Sequence, residues 1–153
     1  MRRGIDTNVL VYAHMPAFPE HGTVRRFLVN QLQEPGLRLV VTPNVLHEFV
    51  HVITDPKRFK PLVPMAEALA VAGLYLGRTN VQCAGIDEAV LLKTFQLLER
   101  HNLGRKRIAD TLFAATLLHH GITEIITCDP DDFRPFKDLA VVDQRSDPDH
   151  PVS

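Results

Sequence analysis

Short apolar, β-rich runs alternate along this chain with segments of helical periodicity, and that alternation constrains the fold more than any other feature. The runs are Gly4-Ile5, Leu37 to Val41, Val81 to Ala84, Ile125 to Thr127 and Ala140 to Val142. Between them, helices are expected over Val9 to Ala13, His21 to Gln33, Thr42-Pro43 to about Ile53, Met65 to Leu76, Ile86 to His101 and Lys106 to His120. The second of these places Val24, Phe27, Leu28 and Leu32 on one face. Thr42-Pro43 supplies an N-cap and first-turn proline, while Asn102 with Gly104, and then Gly121, suit helix ends. Strands joined through helices pair in parallel and are covered on both faces, so the fold class is α/β. In such sheets ligands bind beyond the carboxyl ends of the strands.

A chain of 153 residues fits one domain, expected over residues 1–143, with a polar, Asp/Pro-bearing tail over residues 144–153 that reads as mobile. A content of 45% hydrophobic and 23% charged residues is that of an ordinary soluble globular protein. Cys83 and Cys128 both lie in apolar, strand-like stretches and are expected to be buried free thiols in a reducing compartment. Met1-Arg2-Arg3 resembles the start of a signal peptide, but Asp6 and Asn8 interrupt the apolar run. Ala68 to Leu76, the longest apolar stretch, falls short of the ~20 residues of a membrane span. A cytoplasmic location is the expectation.

Four acidic residues interrupt sequence that is otherwise apolar: Asp6 in RRGIDTNVLVYA, Glu48 in TPNVLHEFVHVI, Asp110 in RIADTLFAATLL and Asp129 in EIITCDPDDF. An isolated buried carboxylate is costly unless paired, and gathered carboxylates raise one another's pKa unless a cation holds them. Asp6 and Asp129 each follow a strand-like run, which puts both at the carboxyl edge of the sheet. Asp110 lies in a first helical turn, where the dipole favours an anion. Glu48 sits mid-helix among Val45, Leu46, Phe49, Val50, Val52 and Ile53. Each has an ordinary explanation as well: a helix cap for Asp6, dipole complementation for Asp110, an arginine partner for Glu48, a turn for Asp129. Together they point to Mg²⁺ or Mn²⁺, which favour oxygen ligands and can activate water for attack on a phosphodiester.

Taken in order, IDTNVLVY, TPNVLHEF, IADTLFAATLLHHG and ITEIITCDPDDF resemble the PIN-domain family, over about Ile5 to Phe133. Size and the DPKRFKPL segment further resemble the VapC-type toxin ribonucleases of toxin–antitoxin pairs. The resemblance implies a three-layer α/β/α sandwich around a mainly parallel sheet and a Mg²⁺- or Mn²⁺-dependent endoribonuclease. It also implies a homodimer and a small antitoxin that blocks the site, with an arginine of its tail entering the acidic pocket. By motif position, Asp6 and Asp110 become the central metal ligands, with Glu48 third and Asp129 fourth, and this set is also catalytic. Thr7, Asn8 and Thr127 become polar neighbours that orient carboxylates or water. Asp132 reads as a structural hydrogen-bonding partner.

Two further patterns bear on function. His47-Glu48-Phe49-Val50-His51 is a literal H-E-x-x-H, the helical signature of a zinc protease. No third ligand motif follows it, and it leaves Asp6, Asp110 and Asp129 unexplained, so an exposed polar stripe with Thr54 is the preferred reading. A haloacid-dehalogenase-like phosphotransferase needs an aspartate where Asn8 stands, and a receiver domain needs an acidic pair and a late lysine that are missing. A catalytically inactive PIN-like scaffold has little reason to keep all four acids. The formal net charge of −1 gives no general attraction for nucleic acid, so RNA contact falls to local clusters. These are Lys57, Arg58 and Lys60, and, closer to Asp110, Arg105, Lys106 and Arg107 with Arg100. Apolar residues over Val63 to Leu76 fit either a dimer or antitoxin surface, or core packing.

Overall fold

The computed structural model describes residues 1–142 and Gln144. The described strands are β1 (Arg2–Ile5), β2 (Arg38–Val41), β3 (Val81–Cys83), β4 (Glu124–Ile126) and β5 (Ala140–Val142). The helices are α1 (Thr7–His14), α2 (His21–Gln33), α3 (Pro43–Ile53), α4 (Met65–Gly77), α5 (Glu88–Arg100) and α6 (Ile108–His119). All the strand pairs are parallel, in the order β3-β2-β1-β4-β5. The chain therefore starts at the centre, builds outward to β3, then returns to the other side of β1. Helices α1 to α4 pack together on one face and α5 with α6 on the other, as right-handed crossovers running in opposite directions from β1 require. This is the expected three-layer sandwich.

That reversal makes the carboxyl end of β1 the place where the connections diverge, leaving a crevice between neighbouring loops. Asp6 is the first residue beyond β1, and its backbone N–H donates to Ile126 O at 3.0 Å, closing the last rung onto β4. The amino ends of the strands are polar for the opposite reason, since they meet water. Arg3 pairs there with Glu124 at 2.6 Å, and Arg2 donates to His120 O at 2.9 Å. Core residues such as Ile5, Leu39, Val40, Ile125 and Ile126 are fully buried, as a sheet covered on both faces demands.

Helix α6 lies directly on β1. A Cβ placed on Gly4 would stand 2.4 Å from Leu117 Cδ1, so glycine permits the contact. Gly121, past the end of α6, takes φ +74, the left-handed conformation expected of a residue that closes a helix. Thr42 caps α3 through Val45 N at 3.2 Å, as expected, with Pro43 following. Several boundaries differ from the sequence reading by a residue or more, and three have a local cause. Helix α5 starts at Glu88 because the Asp87 side chain accepts from Val90 N. Helix α1 starts at Thr7 because the Asp6 side chain accepts from Thr7 N. Arg105–Arg107 forms a 3₁₀ turn before α6 begins.

Both cysteines are free, but only half of the burial expectation holds: Cys128 is half-buried, whereas Cys83 is exposed. Cys83 ends β3, an edge strand whose outward residues meet solvent. Along Val63 to Leu76, Ala68, Ala72 and Tyr75 are buried, while Met65, Leu69, Leu74 and Leu76 are exposed. Apart from Gln144, the tail over residues 144–153 lies outside the described residues. Among these, no helix is long and apolar enough to cross a membrane.

Candidate active site

Asp6 (after β1), Glu48 (on α3), Asp110 (in the first turn of α6) and Asp129 (after β4) line one cleft of about 570 Å³. Thr7, Asn8 and Asp132 share it. Asp6 is fixed from two sides: Thr7 N–H donates to Oδ1 and the Thr127 hydroxyl to Oδ2, each at 2.8 Å. Capping α1 and facing the cleft are thus compatible duties for this residue. Thr127 is itself buried and accepts from Asp129 N–H at 3.1 Å, linking the two loop aspartates through one hydroxyl. Asn8 donates to Asp129 Oδ2 at 3.0 Å and accepts from Cys128 N–H at 3.1 Å. The Thr7 hydroxyl donates to Glu48 Oε2 at 3.0 Å.

Electrostatics divide the set. Burial pushes Asp6 up to about 7, against the hydrogen bonds from Thr127 and Thr7, and the charges of Asp110 and Glu48 push the same way. Burial raises Asp110 to about 6, aided by Asp132, Glu48 and Asp129 and opposed by Arg107. Glu48 and Asp129, by contrast, are exposed residues. The cost of burying a carboxylate therefore falls on Asp6 and Asp110 and not on these two, although all four stand in apolar sequence. On α3 the apolar neighbours Val45, Leu46, Phe49 and Ile53 share the core face and leave Glu48 on the outer one.

Arg107 turns its guanidinium inward. It pairs with the Asp132 carboxylate and stands 3.7 Å from Asp110 Oδ2. Asp132 thus makes the hydrogen bond expected of it and also faces the cleft. Arg105 and Lys106 are exposed beside it. From the other basic cluster, Arg58 reaches the cleft mouth, 3.5 Å from Asp55. Burial pushes the Cys128 thiol up to about 12, so it remains protonated and donates to Gln144 Oε1 at 3.2 Å. A thiol held this way is a poor nucleophile. The Gln144 amide donates in turn to Thr127 O.

The side of the cleft away from these acids was not foreseen. Tyr12 and Phe18 meet edge to face with centroids 4.8 Å apart, and Phe18 meets Phe59 at 5.7 Å. Tyr12 ends IDTNVLVY and Phe59 lies in DPKRFKPL, but neither motif says that these rings meet Phe18, which the fold alone brings between them.

Among the described residues, no trio of His, Cys, Asp or Glu forms a ready-made metal cage. This weighs differently on the two metal readings. Catalytic zinc needs three protein ligands, and His47 and His51 lie exposed on α3 with Glu48 drawn to Thr7. Magnesium takes one or two carboxylates, keeps several waters and demands hard oxygen donors. The cleft presents carboxylates, hydroxyls and an amide, with Asp6 held by neutral donors alone and Asp110 only partly offset by Arg107, so its donor set fits Mg²⁺ or Mn²⁺.

Comparison with known proteins agrees with this architecture. The PIN domain family model matches residues 5–141, a span that includes all four acids. Ribonuclease VapC24 of Mycobacterium tuberculosis is 30% identical over 133 residues, covering 86% of this chain and 89% of its own. Among solved structures, VapC20 of the same organism, a sarcin-ricin loop cleaving toxin, has TM-score 0.68 at 18% identity, covering 89% of this chain and 95% of that one. VapBC-1 from nontypeable Haemophilus influenzae gives 0.67 at 17%, covering 95% and 100%. FitAcB from Neisseria gonorrhoeae gives 0.62 at 19%, covering 95% and 99%. At those identities the solved structures bear on the fold alone, and they share it. With the family match running from β1 to β5 and a VapC relative aligned over most of both chains, this chain belongs to the PIN domain family, and within it to the VapC type.

Proposed function

We propose that this chain is a Mg²⁺- or Mn²⁺-dependent endoribonuclease and the toxin of a toxin–antitoxin pair, acting in the cytoplasm. The observation that carries the chemistry is the convergence of Asp6, Glu48, Asp110 and Asp129, from separate elements, on one cleft. Asp6 and Asp110, the two with raised pKa values, hold the ion as central ligands; Glu48 and Asp129 complete the ligand set at the rim. When bound, the ion supplies Lewis acidity, making water acidic enough to attack near neutral pH and offsetting charge that builds on the phosphate. Thr127 and the Thr7 N–H aim Asp6, while Asn8 aims Asp129. Glu48, exposed at the cleft rim and oriented by the Thr7 hydroxyl, takes the proton from the attacking water. Arg105 and Lys106 contact phosphates, which positions RNA without reading its sequence. Arg107 holds Asp110 and Asp132 in place.

A small antitoxin partner and assembly as a homodimer belong to the same proposal, and they rest on membership of the VapC type. Purified protein is expected to cleave folded RNA with Mg²⁺ or Mn²⁺. EDTA, Asp6→Ala and Asp110→Ala are each expected to abolish cleavage. Full activity in either variant would overturn the assignment. Co-expression with a neighbouring small gene tests the toxin role separately: relief of growth arrest supports it, and growth unaffected by the active nuclease alone points to housekeeping RNA processing.

A further inference from the structure

Resting on the ribonuclease reading, we infer that the apolar wall of the cleft is a seat for one unpaired nucleobase of the RNA, adjacent to the phosphodiester that is cut. The cavity of about 570 Å³ has two chemically distinct sides. One is carboxylate. The other is Tyr12, Phe18 and Phe59 with Val11 and Val52, and Arg58 stands at its mouth. Nothing in the hydrolytic chemistry calls for that second side. Tyr12 and Phe18 are half-buried, so each keeps an open portion toward the cleft, and Phe59 is buried behind them.

The edge-to-face contacts at 4.8 Å and 5.7 Å hold the three rings as a unit, so a base docks on a surface already ordered. The Arg58 side chain is 62% exposed, and its guanidinium can cover a docked base or meet the flanking phosphate. The occupant follows from continuity. A phosphodiester seated over the acids brings its neighbouring base into the same cavity, and aromatic rings bind bases by stacking. The base must be unpaired, since bases within an A-form helix are not free to stack on protein. The seat therefore selects loops, bulges and strand ends.

The test pairs protein variants with RNA carrying one abasic nucleotide beside the mapped cleavage site, on either side in turn. For wild-type protein with Mg²⁺, one of the two abasic substrates is expected to lose about ten-fold in kcat/KM, a typical stacking effect. Phe18→Ala is expected to lose a similar factor on intact RNA and to show no further loss on the abasic substrate. Phe18→Leu keeps apolar packing against Tyr12 and Phe59 while removing the ring, and is expected to behave like Phe18→Ala with an unchanged melting temperature. The inference is overturned if both abasic substrates are cut at the intact rate, which would leave the wall to an apolar peptide segment. It is equally overturned if the abasic penalty persists undiminished in folded Phe18→Leu. Wild-type protein that cuts no RNA at all sinks the ribonuclease reading and the base seat together.

Discussion

Asp6 and Asp110 face the same cleft from different elements, and they are held in different ways. Asp6 has only neutral donors, the Thr127 hydroxyl and the Thr7 N–H, and its pKa rises to about 7. Asp110 has a cation close by, Arg107 at 3.7 Å, and rises only to about 6 although Asp132, Glu48 and Asp129 all act on it. Dipolar donors aim a carboxylate firmly but leave its charge uncompensated; a guanidinium lowers the charge cost but competes with any other cation. The cleft therefore joins a side starved of positive charge to a side already partly supplied.

Removing either carboxylate breaks the comparison outright. Asp6→Asn and Asp110→Asn are each expected to lower RNA cleavage on the order of 1000-fold, measured as kcat/KM with saturating Mg²⁺. Loss in one variant alone would mean that the two sides are unequal partners.

The pH dependence separates the two sides next. A folded pKa raised above the unfolded value means the folded state binds more protons between the two, so stability falls as pH rises. Metal-free protein is expected to lose stability, on the order of a few kcal/mol, as pH rises from about 4 to about 7. Urea unfolding at several pH values measures this. Asp6→Asn should flatten the slope from about pH 4 up to about pH 7, and Asp110→Asn only up to about pH 6, so the interval between pH 6 and pH 7 reports Asp6. Mg²⁺ affinity should run the opposite way, tightening as pH rises, because binding displaces the same protons.

Thr127→Val probes the neutral side more gently. It removes the hydroxyl shared by Asp6 and the Asp129 N–H and should cost about ten-fold in cleavage, while raising the Asp6 pKa further. Arg107→Gln probes the cationic side. Calorimetric titration at pH 8 is expected to show Mg²⁺ binding about three-fold tighter, since a half-buried pair at 3.7 Å, still partly screened by solvent, contributes on the order of 1 kcal/mol. Weaker binding would show that Arg107 serves mainly to position Asp110. The smallest effect expected is that of Lys106→Gln: a reduction of about one unit in the salt slope of RNA binding.

The parts legible in the sequence were those set by local pattern. Alternating strand and helix signals give the parallel α/β sheet, and the order of IDTN, LHEF, IADT and CDPDDF gives the family. Asp6 and Asp129 could be placed because each lies within three residues of the end of a strand. Glu48 was misjudged because α3 is so apolar that periodicity alone does not say which side faces the core. Arg107 looked like one of three basic neighbours; its inward turn depends on Asp132, which only the fold brings near. Cys83 seemed buried because strand composition does not reveal which strand ends up at an edge. The meeting of Tyr12, Phe18 and Phe59 left no signal, although two of the rings lie in sequence motifs, since they come together only after the chain has folded.

Gly4 lies two residues before Asp6, and Leu117 lies about two turns along α6 from Asp110. The missing side chain of the one lets the other rest on bare backbone. The gap between the two central carboxylates is thus a packing dimension, gauged deep in the core where no solvent or ligand arrives. A single methyl group added at that hidden shim would reset the spacing of the active cleft while leaving every residue that lines it unchanged.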